Sequence, residues 1–216
     1  MHIELLVEDS SGASLVETLL PSVIGSLGEP HTWRVHEYKG IGRLPKGLSV
    51  QSDPAKRALL NQLPRLLAGY GRTPGIDAVV VVLDSDRRDC KAFLAELNGL
   101  VKECHVAPKT LFRLAIEEME AWYLGDRRAL LKAYPRAKSQ SNVLNGYTQD
   151  SVCGTWELVA DAVYPGGAAA ILRAGRLLQG QVKHEWAEKI GPHIDVEHNS
   201  SPSFCKFRDG LRRLVA

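Results

Sequence analysis

Short apolar runs alternate with amphipathic segments of helical spacing along the first 134 residues of the chain. Strands are predicted where such a run is bounded by turn residues. They fall at residues 3–7, 32–38, 76–83 and 110–116. The third run carries four consecutive valines, which is typical of a central strand buried on both faces, as in parallel sheets.

Helices are predicted between these strands, because leucines recur there at helical spacing. The segments are residues 14–27 (with Ser11 or Ser14 as N-cap), 55–71 (after an Asp53–Pro54 N-cap), 90–104 and 117–134. Regular alternation of strand and helix predicts an α/β fold with a mainly parallel, Rossmann-like sheet flanked by helices. We therefore expect residues 1–134 to form the α/β core.

The remaining residues, 135–216, change character. A polar stretch leads into helical patterns near residues 156–163, 167–178, 185–190 and 204–215. The second part is expected to be a helical C-terminal extension packed on the core. Ser201 or Ser203 is expected to be the N-cap of the last helix.

Composition narrows the class of protein. With 216 residues, 44% hydrophobic and 24% charged, the chain is long and apolar enough for a globular core. The four cysteines form no CxxC pair, which disfavours a structural zinc site or a disulfide framework. No signal peptide or apolar run of about 20 residues is visible, so a cytoplasmic protein is expected. A net charge of +2 is too small to indicate nucleic-acid binding by itself.

Acidic residues follow three of the predicted strands. Because the carboxyl ends of parallel strands gather ligands at one edge of a sheet, these acids are expected to lie near each other. They are Glu8 and Asp9, then Asp84 and Asp86, then Glu117, Glu118 and Glu120. Carboxylate oxygens suit Mg²⁺ or Mn²⁺, and we expect Glu8, Asp84 and Asp86 to hold one ion.

A second ion would need further carboxylates, for which Glu17, Glu118 and Glu120 are the candidates. Glu118 and Glu120 are two residues apart and would not face together on a helix, so Glu118 is preferred. The competing interpretation is structural: acids cap helices, and Arg87 and Arg88 could offset their charge. Placement of several acids at one sheet edge favours the metal.

Several basic residues of the chain are candidates for binding substrate phosphates. Lys39, Arg43 and Lys46 lie in a glycine-rich stretch, and Arg87 and Lys183 lie elsewhere in the chain. Glycines let a backbone approach phosphate, and cations neutralise its charge. A solvated loop would show the same composition, so both interpretations stay open.

The segments LLVEDSSGASLVE and VVVLDSDRRD resemble a Toprim domain, whose pattern is a glutamate after the first strand and Asp-x-Asp after a later one. The chain is also similar to a Toprim-like bacterial family catalogued as domain of unknown function 4276. That similarity rests on HEYKGIGRL, LAIEEMEAWYLGD and VKHEWAEKIGPHIDVEHNSSPSFCKFRDGL. The resemblance implies relationship to the Toprim nucleases of the overcoming-lysogenization-defect (OLD) type.

The resemblance also implies a function. A Toprim-type nuclease would hydrolyse phosphodiester bonds of DNA or RNA with Mg²⁺ or Mn²⁺, with Glu8, Asp84 and Asp86 as catalytic residues and metal ligands. Toprim-like relatives often work with an ATPase partner in bacterial antiviral (anti-phage) defence, which implies the same partnership here. The alternatives are a non-catalytic module that binds nucleic acid or a partner, and a small phosphotransfer or phosphatase-type enzyme.

Overall fold

The fold was determined as a computed structural model, which describes residues 1–44, 58–137, 142–151 and 154–216. The strands are β1 (His2–Val7), β2 (Thr32–Glu37), β3 (Ala78–Asp84) and β4 (Lys109–Ala115). The helices of the first part are α1 (Ser10–Ile24), α2 (Leu59–Tyr70), α3 (Cys90–Glu103), α4 (Glu120–Leu124) and α5 (Arg127–Ala133). Then follow α6 (Asn142–Asn145), α7 (Thr155–Val163), α8 (Gly167–Ala174), α9 (Arg176–Ile190), a 3₁₀ turn (Gly191–His193) and α10 (Pro202–Val215).

All described strands pair in parallel, in the order β2-β1-β3-β4. The α/β class with a parallel sheet and flanking helices is therefore confirmed. From β1 the chain goes first to β2 on one side and then to β3 on the other. The order reverses between β1 and β3, and ligands of open parallel sheets bind outside the carboxyl ends at such a reversal.

Alternate residues of β1 and β3 face opposite sides of the sheet, as the two-residue period of a strand requires. One face, with Leu5 and Val80, packs in a cluster that also holds buried residues of α1, α9 and α10. The other face, with Leu6 and Val81, packs against buried leucines of α2 and α3. Burial on both faces explains the run of valines in β3.

The predicted helix over residues 117–134 is two short helices instead. Gly125 separates them, and a Cβ there would fall 2.1 Å from Asn199 Oδ1, so the polypeptide passes very close to the later loop. The Asp126 side chain then accepts hydrogen bonds from the amides of Arg128 and Ala129 and starts α5. Helix spacing alone does not reveal this break, because the apolar pattern continues through it.

Two capping expectations meet different outcomes. Helix α1 is capped by Asp9, whose Oδ1 accepts from the Gly12 amide at 2.7 Å, and not by Ser11 or Ser14. Asp9 is the cap because it immediately precedes the helix in an extended conformation, which brings its side chain to the Gly12 amide. Ser201 does cap α10, accepting from the Phe204 amide at 3.3 Å. The Asp53 cap lies outside the described residues.

Helices of residues 135–216 pack on the same core as the first strand. Trp186 of α9 and Phe207 of α10 are buried in the cluster that contains Leu5. Helix α10 also packs against the edge strand β4. The extension thereby brings side chains of α7 and α9 to the carboxyl edge of the sheet. No helix in the described part of the chain is long and apolar enough to cross a membrane.

Candidate metal centre

Glu8 and Asp84 meet at the reversal between β1 and β3. Glu8 directly follows β1, and Asp84 is the last residue of β3. The Asp84 amide donates a hydrogen bond to Glu8 Oε2 at 3.2 Å. Of the three residues expected to converge here, Glu8 and Asp84 therefore lie next to each other.

Burial makes this pair of carboxylates hold protons more tightly than usual. Burial, with smaller contributions from the charges of Asp86 and Asp9, raises the pKa of Glu8 to about 7, although the Asp84 amide opposes the shift. Burial and the nearby Glu8 charge raise the pKa of Asp84 well above its ordinary value. Asp84 Oδ1 is buried and has no hydrogen-bond partner among the described residues. Both ionised carboxylates would be stabilised by an added cation.

Asp86 lies at the mouth of the site and not beside the pair. Its side chain is 54% exposed and reaches Arg88 at a distance of 4.0 Å. Its backbone has a φ of 48°, and its amide donates to the Glu117 carbonyl at 3.0 Å. Asp86 thus takes the left-handed conformation in the turn after β3, and its side chain is more exposed than those of Glu8 and Asp84.

Glu118 and Glu120 both contact one lysine. Lys183 Nζ of α9 lies 3.2 Å from Glu118 Oε1 and 3.3 Å from Glu120 Oε1. The expectation that residues two apart would not face together is wrong, because Glu118 precedes α4 and the pair is not on one helix. Glu120 is almost fully buried, and burial raises its pKa to about 7 despite the charge of Lys183.

Lys183 is enclosed by acids. Burial by itself lowers its pKa, but the charges of Glu120, Glu118, Asp84 and Asp9 outweigh burial and raise the pKa above the ordinary value. Its side chain is only 14% exposed. Lys183 therefore stays charged, and its ammonium group is turned inward to the acids. We call Lys183's acidic surroundings the acidic cluster, whose members are Glu8, Asp9, Asp84, Glu118 and Glu120.

A cleft of about 420 Å³ opens beside the acidic cluster. It is lined by Asp86, Arg87, Arg88, Glu117, Glu118, Trp156 and Glu157. Glu117 fixes one wall, since its carboxylate accepts hydrogen bonds from the amides of Gly154 and Thr155 at the start of α7. Arg87 and Arg88 also line the cleft, and both are exposed.

The other predicted residues lie elsewhere. Glu17 is exposed on α1 and accepts a hydrogen bond from Trp33 Nε1 at 3.4 Å, near the amino end of β2, so it does not join the acidic cluster. Lys39 is exposed at the carboxyl edge, next to Gly40, whose amide donates to the Glu8 carbonyl. Arg43 is exposed further along this loop. Lys46 lies outside the described residues.

Two roles were not predicted from the sequence. Asp9, which was expected at this edge as one of the acids after β1, is also the cap of α1; the signal for that role is an acid immediately before the helix, three residues before Gly12. Trp156 lines the cleft, and its amide donates to Glu118 Oε2 at 3.2 Å. No local pattern indicates that role, because it depends on the packing of α7.

The donor set suits a hard divalent cation. Mg²⁺ and Mn²⁺ prefer carboxylate oxygens, and Asp84 Oδ1 is an unsatisfied buried one beside Glu8. Within the described ranges, no three His, Cys, Asp or Glu side chains already stand as a complete set of ligands. Mg²⁺ usually keeps several waters and takes only one or two carboxylates, so the pair Glu8 and Asp84 fits that manner of binding.

Comparison with known protein families shows to which family the chain belongs. Residues 7–212 match the family described as domain of unknown function 4276, so the chain belongs to that family. No curated protein and no solved structure matches it.

Proposed function

We propose that the protein is a metal-dependent nuclease that hydrolyses phosphodiester bonds of DNA or RNA with Mg²⁺ or Mn²⁺. The observation that carries the proposal is the pairing of Glu8 with Asp84 at the strand-order reversal of a parallel sheet. The buried Oδ1 atom of Asp84 has no hydrogen-bond partner in the described part of the chain, so it is available to a metal ion. The Toprim resemblance of the surrounding segments supports it.

Each residue of the site has a task in such a reaction. A bound divalent cation would polarise the phosphate and lower the pKa of the attacking water. Glu8 and Asp84 would hold the cation, and Asp86 at the mouth would contact it through water. Arg87 and Arg88 of the cleft would neutralise the phosphates that flank the cleaved bond. The Toprim resemblance also gives Glu8 the alternative role of a general acid or base.

The acids of the site argue against a purely binding role. A surface that only binds nucleic acid gains nothing from carboxylates next to phosphate, whereas a hydrolase needs them for metal. We further propose an ATPase partner and a role as effector in bacterial anti-phage defence. The partnership is supported by the Toprim-like segments and by the net charge of +2, which is small for autonomous binding of nucleic acid.

The test is cleavage of single- and double-stranded DNA and RNA by the wild type, Asp84→Asn and Asp89→Asn with Mg²⁺ or Mn²⁺. We expect Asp84→Asn to lower cleavage by about 100-fold or more, because it removes a metal ligand. Asp89 is the matched control: it lies in the same loop and caps α3 through the Ala92 amide at 2.7 Å, which asparagine can also do. Its variant should cleave like the wild type.

Other outcomes separate the rival functions. Turnover of simple phosphate esters with intact polynucleotides would replace the nuclease by a phosphatase-type enzyme. Binding of polynucleotide that weakens steeply with salt, without cleavage in either metal, would indicate a non-catalytic module.

A further inference from the structure

Lys183 reaches the acidic cluster from the C-terminal extension. Its Nζ atom lies within hydrogen-bonding distance of Glu118 Oε1 and Glu120 Oε1, at 3.2 and 3.3 Å. These are the carboxylates that a second metal ion would need, since Glu17 lies at the other side of the fold. The space between them is therefore already filled by a fixed positive charge.

The carboxylates of the acidic cluster differ in whether the protein itself supplies their partners. Glu118 and Glu120 share the ammonium group, and Glu118 Oε2 also accepts from the Trp156 amide. Asp84 Oδ1, in contrast, is buried and lacks a partner within the described residues. One half is satisfied by the protein itself, and the other half has a free ligand atom.

Building on the proposed function, we propose that the site takes a single divalent cation, at Glu8 and Asp84, and that Lys183 occupies the position of a second ion. Glu118 and Glu120 then hold Lys183 and do not bind metal. In two-metal sites the ions stand about 4 Å apart and neutralise charge on both sides of the phosphate. Lys183 supplies part of that charge as a positioning residue that touches no substrate.

Counting bound ions tests this directly. Mn²⁺ is titrated into the metal-free full-length protein, and free Mn²⁺ is followed by electron paramagnetic resonance. The wild type is expected to bind one Mn²⁺ per chain. Lys183→Met leaves Glu118 and Glu120 without a cation, and this variant is expected to bind two.

Lys189 provides the matched control. It lies on the same helix, but its side chain is 54% exposed and pairs with Glu185 at 2.5 Å. Lys189→Met should bind one Mn²⁺, like the wild type. Two ions in the wild type, or one in a folded Lys183→Met variant, would overturn the inference.

A triple variant guards against unfolding of Lys183→Met, which leaves buried carboxylates unpaired. Lys183→Met/Glu118→Gln/Glu120→Gln removes both partners of the contact together, which proteins tolerate better. The inference expects one Mn²⁺ with a Kd within about threefold of the wild type. A Kd weaker by about tenfold or more would show that Glu118 or Glu120 binds the ion and would refute it.

The ion count and the nuclease assay can refute the single-ion site and the nuclease independently of each other. Two ions with cleavage would leave the nuclease and refute the single-ion site. One ion without cleavage would leave the single-ion site and refute the nuclease. No bound Mn²⁺ in the wild type would refute the metal centre and the inference together.

Discussion

At the residue scale, the pair Glu8 and Asp84 is held in a state that costs stability. Two carboxylates share a half-buried position, and burial raises the pKa of each. Proteins keep such repulsion where function requires it and compensate elsewhere in the fold. The Asp84 amide, which donates to Glu8 at 3.2 Å, is one compensation.

Glu8→Gln should make the metal-free protein more stable at neutral pH. The folded-state pKa of Glu8 is raised from 4.5 to about 7, so the folded state binds the extra proton between these values. Stability from this group is present below about pH 4.5 and is lost as the pH rises through about 7. Glutamine stays neutral and can still accept from the Asp84 amide.

The measurement is urea unfolding of both proteins with a chelator at several pH values. The unfolding free energy of the variant relative to the wild type should rise by about 2 kcal/mol between about pH 5 and pH 8. A constant difference across this range would contradict the raised pKa. Added Mn²⁺ should stabilise the wild type and leave the variant nearly unchanged.

The residues of the site differ in how far the sequence reveals them. Glu8 and Asp84 were predictable, because strand alternation and parallel pairing place the ends of neighbouring strands together. The contact of Lys183 with Glu118 was not, since the two are 65 residues apart and meet only through the packing of α9. The wrong expectation for Glu118 and Glu120 came from assuming one continuous helix.

At the element scale, the entry into α1 positions the site. Asp9 caps the helix, and Gly12 in its first turn lies against the loop that carries the later acids. A Cβ at Gly12 would stand 2.7 Å from Met119 Sδ and 3.0 Å from Val7 Cγ1. Glycine therefore allows the first turn of α1 to pack against the end of β1 and the loop that carries the later acids.

Gly12→Ala is expected to destabilise the protein by about 1–3 kcal/mol, because the added methyl group forces the helix start away from Met119. Gly99→Ala in α3 is the matched control, since nothing lies within 4 Å of the Cβ position there. That control should gain about 0.5–1 kcal/mol from the better helix propensity of alanine. Thermal unfolding measures the stability of both variants relative to the wild type. Equal changes in stability would contradict the close packing at Gly12.

The elements themselves were largely predictable. The four-strand pattern and the helices between strands follow from residue periodicity, and the observed strands agree with it to within two residues at each end. The break at Gly125 was not predictable, because it arises from the close passage of the loop at Asn199. Such a long-range contact overrides a helical pattern without changing it.

At the scale of the whole molecule, the C-terminal helices and the parallel sheet share one apolar cluster. Trp186 of α9 is 1% exposed and belongs to the cluster that contains Ile3 and Leu5 of β1. Trp186 lies one helical turn from Lys183, so the packing that stabilises α9 also sets the position of the lysine. Removing this tryptophan should therefore affect both the sheet and the site.

Trp186→Ala is expected to lower the unfolding free energy by about 3–5 kcal/mol, since it leaves a large cavity in the shared cluster. Unfolding by urea should remain a single transition, with circular dichroism and tryptophan fluorescence giving the same midpoint. Leu177→Ala, which replaces a side chain that is 79% exposed on the same helix, should change the free energy by less than about 0.5 kcal/mol. Two separate transitions in the wild type would mean that the extension folds independently. A small change in the unfolding free energy of Trp186→Ala would mean that α9 is not needed to hold the core together.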